Sequence, residues 1–184
     1  MSDKPTTYPV TIAGVPRELP LFEVAPGVTI AILNILGDVE LVQAAASALA
    51  GKLAALDFTA LVTAEAKSIP LVHALAVEMG KPYVVLRKSY KSYMGKAIET
   101  TSESITTGSS QSLYLDEKDY DVIRGKRVVL VDDVVSTGST QNAMKDVMDQ
   151  AGAKVAGEAA IFTEGDPGQW EGFIALGHLP VWLD

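Results

Sequence analysis

The side chains best placed to do chemistry lie together in one stretch, Val128-Val129-Leu130-Val131-Asp132-Asp133-Val134-Val135-Ser136-Thr137-Gly138-Ser139-Thr140. An apolar run ends in two adjacent carboxylates. A loop of small hydroxyl residues and one glycine follows, and then a helical pattern begins. The glycine lets the backbone turn tightly and approach a ligand closely. A helix start leaves backbone N–H groups unpaired, and with the helix dipole they favour an anion, typically a phosphate. Ser136, Thr137, Ser139 and Thr140 add hydroxyl donors. Asp132 and Asp133 would repel that anion, so they must face something cationic or rich in hydroxyls nearby. A sugar phosphate meets both demands, with its hydroxyls on the carboxylates and its phosphate on the loop.

Two cationic clusters lie upstream. Glu65-Ala66-Lys67-Ser68 falls between an expected strand and an expected helix, so Lys67 stands at a second helix N-terminus suited to an anion. Arg87-Lys88 ends the next expected strand and Lys91 follows, putting three cations within five residues of an acidic chain. Taken singly, these are also what a capped helix start and a solvated strand end look like. Other residues carry weaker signals. His73 falls opposite the apolar stripe of its helix and reads as a surface residue. His178 is a candidate for lining a pocket, Trp170, Phe162 and Trp182 could stack on a planar ligand ring although such residues more often pack, and Glu164, just past the last clear strand, could accept a hydrogen bond from a ring N–H.

These groups must be held by a scaffold, and the hydrophobic periodicity supplies one. Asp38 is placed to cap a helix running to about Leu56, with Val42, Ala46, Leu49, Leu53 and Leu56 as its stripe. Phe58–Ala64 reads as a buried strand. Ser68 is placed to cap a second helix with Pro70 in its first turn and Gly80 at its end. Tyr83–Leu86 is a further strand, completing a right-handed crossover unit. Residues 89–110 are polar with little periodicity, as in functional lids. Gln111–Leu115 alternates as a strand, and Arg127–Val131 reads as the sheet centre. A helix over about Thr140–Ala151 shows the stripe Ala143, Met144, Val147, Met148 and Ala151, and Val155–Phe162 is the next strand. The first 35 residues hold five of the nine prolines and read as irregular or short-stranded. The alternation predicts a single α/β domain over residues 1–184: an open, mostly parallel sheet flanked by helices. Its core spans about 38–165, with a small hood from 1–37 and 166–184.

Composition narrows the function. A chain of 184 residues buries a core without staples. No cysteine is present, which excludes disulfides, thiolate metal sites and a cysteine nucleophile. Acidic residues outnumber basic ones 23 to 15, for a net charge of −8, which argues against sequence-independent nucleic-acid binding. The N-terminus has no signal-peptide pattern, and the most apolar stretch, Leu41–Leu56, is too short and polar to span a bilayer. A cytoplasmic protein without membrane or nucleic-acid partners is the expectation.

The 128–140 segment resembles the signature of the type I phosphoribosyltransferases: four apolar residues, two acidic, two apolar, a small residue, then Thr-Gly-Gly/Ser-Thr. The resemblance extends over roughly residues 38–165. It implies that phosphoribosyl pyrophosphate (PRPP) is the ligand, that Asp132 and Asp133 contact its ribose hydroxyls, and that Ser136, Thr137, Gly138, Ser139 and Thr140 hold its 5′-phosphate. Glu65-Ala66-Lys67-Ser68 resembles the Glu-Ala-Arg-Gly pyrophosphate loop of adenine phosphoribosyltransferases, with Lys67 for Arg and Ser68 for Gly. Arg87-Lys88 resembles their Arg-Lys pair. Ala66, Lys67, Ser68, Arg87, Lys88 and Lys91 are thereby expected at the pyrophosphate. The stretch Glu103–Gly108 departs from the usual lid, with Thr106-Thr107 where Glu-Tyr is common, and the N-terminus lacks the usual Phe-Arg-Asp run.

The resemblance therefore implies a purine salvage enzyme that transfers phosphoribosyl from PRPP to a base and expels pyrophosphate. Adenine is the first expectation; hypoxanthine, guanine and xanthine enzymes share the scaffold. Mg²⁺ is the implied cofactor, carried mainly by PRPP rather than by a dedicated protein cage, and a homodimer is the implied assembly. A PRPP-binding regulator without turnover is the alternative, but the residues before the core are not basic, as a DNA-binding domain would be. An RNA-binding attenuator on the same scaffold is disfavoured by the acidic charge.

Overall fold

The computed structural model describes residues 6–103 and 110–183. Its centre is a five-stranded sheet, all parallel, in the order β10-β9-β8-β4-β5. These strands are β4 (Ala60–Ala64), β5 (Tyr83–Leu86), β8 (Arg127–Val135), β9 (Lys154–Glu164) and β10 (Ile174–Leu179). The strands are nearly continuous apolar runs because both faces are covered. Side chains alternate across the sheet. Leu61, Val129, Val131 and Ile161 face one core with helices α1 (Val39–Leu53) and α2 (Ile69–Met79). Ala60, Val62, Val128 and Leu130 face another with α4 (Ser139–Ala151), whose buried residues include the whole expected stripe. The expected open parallel sheet flanked by helices is the fold observed.

The expected caps at Asp38 and Gly80 hold. Asp38 accepts the Leu41 N–H at 3.1 Å, and Gly80 closes α2 in the left-handed conformation, as Gly152 closes α4. Asp38 also takes Arg17 on both oxygens at 2.8 Å, which holds its carboxyl below the usual range; the Leu41 N–H acts in the same direction. Helix α1 ends at Leu53, one turn short of the expectation, and Leu56 packs from the turn that follows.

Three segments differ from the sequence reading. Of the irregular or short-stranded alternatives for the first 35 residues, strands are what form over residues 7–31, one of them long: β1 (Thr7–Ile12), the eleven-residue β2 (Val15–Ala25) and β3 (Val28–Ala31) make an antiparallel sheet. The prolines lack an N–H but still accept; Pro20 O takes the Ile32 N–H at 2.9 Å. The core does not stop near residue 165. β10 adds an edge strand to the parallel sheet beside β9, and only β11 (Val181–Leu183) joins the hood sheet, next to β3. The described part of the 89–110 segment carries structure, namely a 3₁₀ turn at Ser92–Met94 and the strand β6 (Ile98–Glu103). β6 pairs antiparallel with β7 (Ser110–Leu115), and the ribbon packs on α4 through buried Thr100 and Leu113. The lid positions 104–109, Thr106-Thr107 included, lie outside the described residues. A four-residue helix, α3 (Tyr120–Ile123), leads into β8. Among the described residues no helix is long and apolar enough to cross a membrane.

Candidate active site at the carboxyl ends of the parallel strands

Open α/β sheets present ligands at the carboxyl ends of their strands. β8 is the middle strand, and it carries Asp132 and Asp133 to that end. Strand alternation sends the two side chains different ways. Asp132 reaches α4, where its Oδ2 accepts from Gln141 Nε2 at 2.8 Å. Asp133 reaches the loop before α2, with its Oδ2 at 3.5 Å from Lys67 Nζ. That oxygen is buried and has no hydrogen-bond partner among the described residues, so the Lys67 ammonium is its compensation.

Ser68 ties the pair together. Its Oγ lies 2.6 Å from Asp132 Oδ1 and 3.1 Å from Asp133 Oδ1, and it accepts the Asp133 N–H at 3.0 Å. The sequence reading gave this hydroxyl to the start of α2, but there is no such cap. Pro70 occupies the first turn and has no N–H to offer, and the carboxylates are the stronger acceptors. Nor is the hydroxyl turned outward for an anion, since Ser68 is only 2% exposed. Burial pushes the Asp132 carboxyl up to about 6, and the Asp133 charge adds to this, against the Ser68 hydrogen bond.

The 136–140 loop follows directly. Gly138 has φ +74°, in the left-handed region that favours glycine, and stands at the N-terminus of the thirteen-residue α4. Thr137 Oγ1 donates to Ser139 Oγ at 3.0 Å and accepts the Ser139 N–H at 3.4 Å. Ser136 and Thr137 are exposed; Gly138, Ser139 and Thr140 are half-buried. The Trp170 ring lies against this loop, at 3.5 Å from where a Gly138 Cβ would stand, and its Nε1 donates to Glu164 O at 2.8 Å. A cavity of about 410 Å³ flanks the loop, lined by Thr137, Gly138, Gln141, Trp170 and Phe173 among others.

The expected pyrophosphate residues are only partly gathered. Ala66 and Lys67 are exposed at the loop, and the Glu65–Ala66 peptide is cis. Lys67 reaches both Asp133 and, at 3.5 Å, Leu33 O in the hood. Arg87 Nε is held by Glu65 Oε2 at 2.6 Å, and the Lys88 N–H by Glu65 Oε1 at 2.5 Å. Burial raises the Glu65 carboxyl, but the Lys88 N–H and the Arg87 guanidinium outweigh it and hold the group below its usual range. Arg87 Nη1 also donates to Tyr93 Oη at 3.4 Å, and the Lys88 and Lys91 side chains are exposed.

Sequence reasoning missed Gln141, and its signal was present. It is a buried polar residue in line with Met144 and Met148 on the inner face of α4. Glu65, to which the motif alone assigns no role, anchors Arg87. His73 is exposed, as expected, and lies edge-on to Tyr83. His178 serves structure: its Nε2 donates to Gly165 O and its Nδ1 takes the Thr163 hydroxyl, each at 3.0 Å. Phe162 and Glu164 are buried, and burial raises the Glu164 carboxyl. Trp182 packs edge-on against Tyr8. Among the described residues no three His, Cys, Asp or Glu converge as a metal cage.

Solved structures share this architecture. The adenine phosphoribosyltransferase of Thermoanaerobacter pseudethanolicus superposes with a TM-score of 0.65 at 21% identity, over 94% of this chain and 95% of that one. The Giardia lamblia enzyme, complexed with 9-deazaadenine, gives 0.65 at 16% identity over 94% and 93%. The Trypanosoma brucei enzyme, complexed with AMP, pyrophosphate and ribose-5-phosphate, gives 0.62 at 19% identity over 95% and 76%. At these identities the likeness is one of fold. A comparison with curated protein sequences finds no significant match. The sequence model of the phosphoribosyl transferase domain matches residues 31–170, which include the carboxylate pair, the hydroxyl loop and both cationic clusters. That match covers most of the sequence, and the chain belongs to the phosphoribosyl transferase domain family.

Proposed function

We propose that the protein is a purine salvage phosphoribosyltransferase that joins a purine base, adenine first, to C1′ of PRPP and releases pyrophosphate. The observation that carries this reading is the placement of Lys67 within 3.5 Å of Asp133, beside Asp132 and the 136–140 loop, at the end of the middle strand. One compact site thus offers an anion-binding loop, hydroxyl acceptors and a cation. Adenine is favoured by the Glu-Ala-Lys-Ser and Arg-Lys motifs, and the neighbouring folds described above are those of adenine enzymes.

In this reading the 5′-phosphate sits on the 136–140 loop at the N-terminus of α4, where it would replace Thr137 Oγ1 at the Ser139 N–H, and the ribose hydroxyls donate to Asp132 and Asp133. Those carboxylates also face the positive charge that develops on the sugar as the C1′–O bond breaks. Lys67, Arg87, Lys88 and Lys91 stabilise the negative charge gathering on the leaving pyrophosphate. Lys67 turns from Asp133 to the pyrophosphate, and a ribose hydroxyl takes its place at the carboxylate. Arg87 has nitrogens beyond the Nε that Glu65 holds, so it can keep that anchor while it binds. Mg²⁺ prefers phosphate oxygens with few protein carboxylates, and when bound on the pyrophosphate it would neutralise leaving-group charge. The half-exposed Lys67 beside Asp133 can meet phosphate oxygens next to a carboxylate, which suits that arrangement. The reading includes a homodimer, which sedimentation would check.

The test is PRPP- and Mg²⁺-dependent pyrophosphate release with adenine, hypoxanthine, guanine and xanthine, each alone. Release with adenine is expected. Release with another base alone would move the assignment to that base, and silence with all four alongside PRPP binding would replace the enzyme with a PRPP sensor.

A further inference from the structure

The loop that resembles a pyrophosphate site and the carboxylates that resemble a ribose site are not independent. Ser68 belongs to the first, yet its hydroxyl is buried among the second, touching Asp132, Asp133 and the Asp133 N–H at 2.6 to 3.1 Å. The two strands concerned are already neighbours, β4 beside β8, so this hydroxyl is the last link in a continuous contact from one half-site to the other. The adenine enzymes that the motif resembles carry glycine here, which has no side chain to make such a link. We propose that Ser68 is a positioning residue that couples the ribose and pyrophosphate halves of the site, so that filling one half organises the other. The proposal rests on the PRPP reading above.

The coupling has a physical route. Ribose hydroxyls on Asp132 and Asp133 fix the carboxylates. The carboxylates fix Ser68 Oγ, and Ser68 fixes the backbone that presents Lys67. The charged and titratable groups facing Ser68 are Asp132 and Asp133 from β8 and Lys67 from its own loop; Gln141 from α4 is neutral and holds the far oxygen of Asp132. Whichever half binds first therefore sets the Ser68 contacts on which the other half rests, and the second binds more tightly. Linkage requires the effect to be reciprocal.

The experiment measures it without turnover. Ribose-5-phosphate and magnesium pyrophosphate are titrated calorimetrically, each alone and each in the presence of the other, into wild type, S68A and S68G. Wild type should bind either probe about fivefold or more tightly once the other is present, within the usual range of coupling between sites. S68A should bind both probes but lose most of that factor. S68G, which restores the residue usual in the similar enzymes, should lose it too and covers the case in which S68A fails to fold. Both probes binding with the same coupling in all three proteins would overturn the proposal and leave the PRPP reading standing. Failure of wild type to bind either probe would overturn the PRPP reading, and the proposal with it.

Discussion

Asp132→Asn should make the protein more stable and inactive at once. The folded chain raises the Asp132 carboxyl from an ordinary 3.8 to about 6, chiefly by burial, so the ionised group is held at a cost. The folded state therefore binds the proton more tightly than the unfolded chain. Stability from this group is complete below pH 3.8 and is lost as pH rises through 6. At pH 7.5 the ionised carboxylate costs about 3 kcal/mol, and at pH 4 less than about 1 kcal/mol remains. The amide is isosteric, keeps an acceptor for Ser68, and with Gln141 turned over can satisfy its new N–H₂. Urea unfolding should thus show the Asn variant ahead of wild type by about 2–3 kcal/mol at pH 7.5, with the gap below about 1 kcal/mol at pH 4. PRPP turnover should be lost, because a neutral amide is a poor substitute for a carboxylate at the ribose. A variant no more stable at pH 7.5, or one whose advantage does not shrink with acid, refutes the electrostatic account. A stable variant with full activity refutes the site.

Other outcomes follow from the same contacts. Wild-type kcat/KM for PRPP should fall below about pH 6, as Asp132 takes up its proton and can no longer accept two hydroxyl bonds; a flat profile from pH 5 to 8 would remove Asp132 from the binding step. Lys67→Met should lower kcat/KM for PRPP by about 100-fold or more, and should cost about 1–3 kcal/mol of stability in a urea titration, because it leaves the buried Asp133 Oδ2 without its compensating charge. Gly138→Ala should strain a backbone at φ +74° by about 1–2 kcal/mol and raise the KM for PRPP, which a loop that merely connects would not do. Asp38→Ala removes a helix cap and the Arg17 pair, and should cost about 1–2 kcal/mol in a urea titration with turnover unchanged.

What was legible in the sequence was what repeats at a fixed period or sits at a fixed offset. The short apolar run before Asp132 reads as a strand of the sheet centre, and the stripe from Ala143 to Ala151 reads as a helix. Ser136–Thr140 then had to be the turn between them. The strand β2 was hidden because its prolines look like breakers, although a proline removes only one donor and Pro20 still accepts across the sheet. The strand β6 was hidden because Ile98 is the one apolar residue in a run of polar ones, and Thr100 goes inward although it is polar. Ser68 was misread for a different reason. Local rules assign a serine before a helix to that helix's own backbone, and only the fold brings two carboxylates within reach of it. Gln141 obeys the helical stripe and breaks its polarity, which is the mark of a partner contributed by another element.

The hand-over of the chain between its two sheets has a mechanical side. β10 ends at Leu179 within the parallel sheet, β11 begins at Val181 within the hood sheet, and Pro180 alone separates them. Proline fixes its own φ, so this corner is stiff. Beyond it Trp182 braces against Tyr8 of β1. The C-terminal segment is thus a rivet rather than a tail. The corner ties the hood to the core that Ile12, Leu19 and Ala31 already share with the central sheet, and a pull on either body is felt at once by the edge strand of the other.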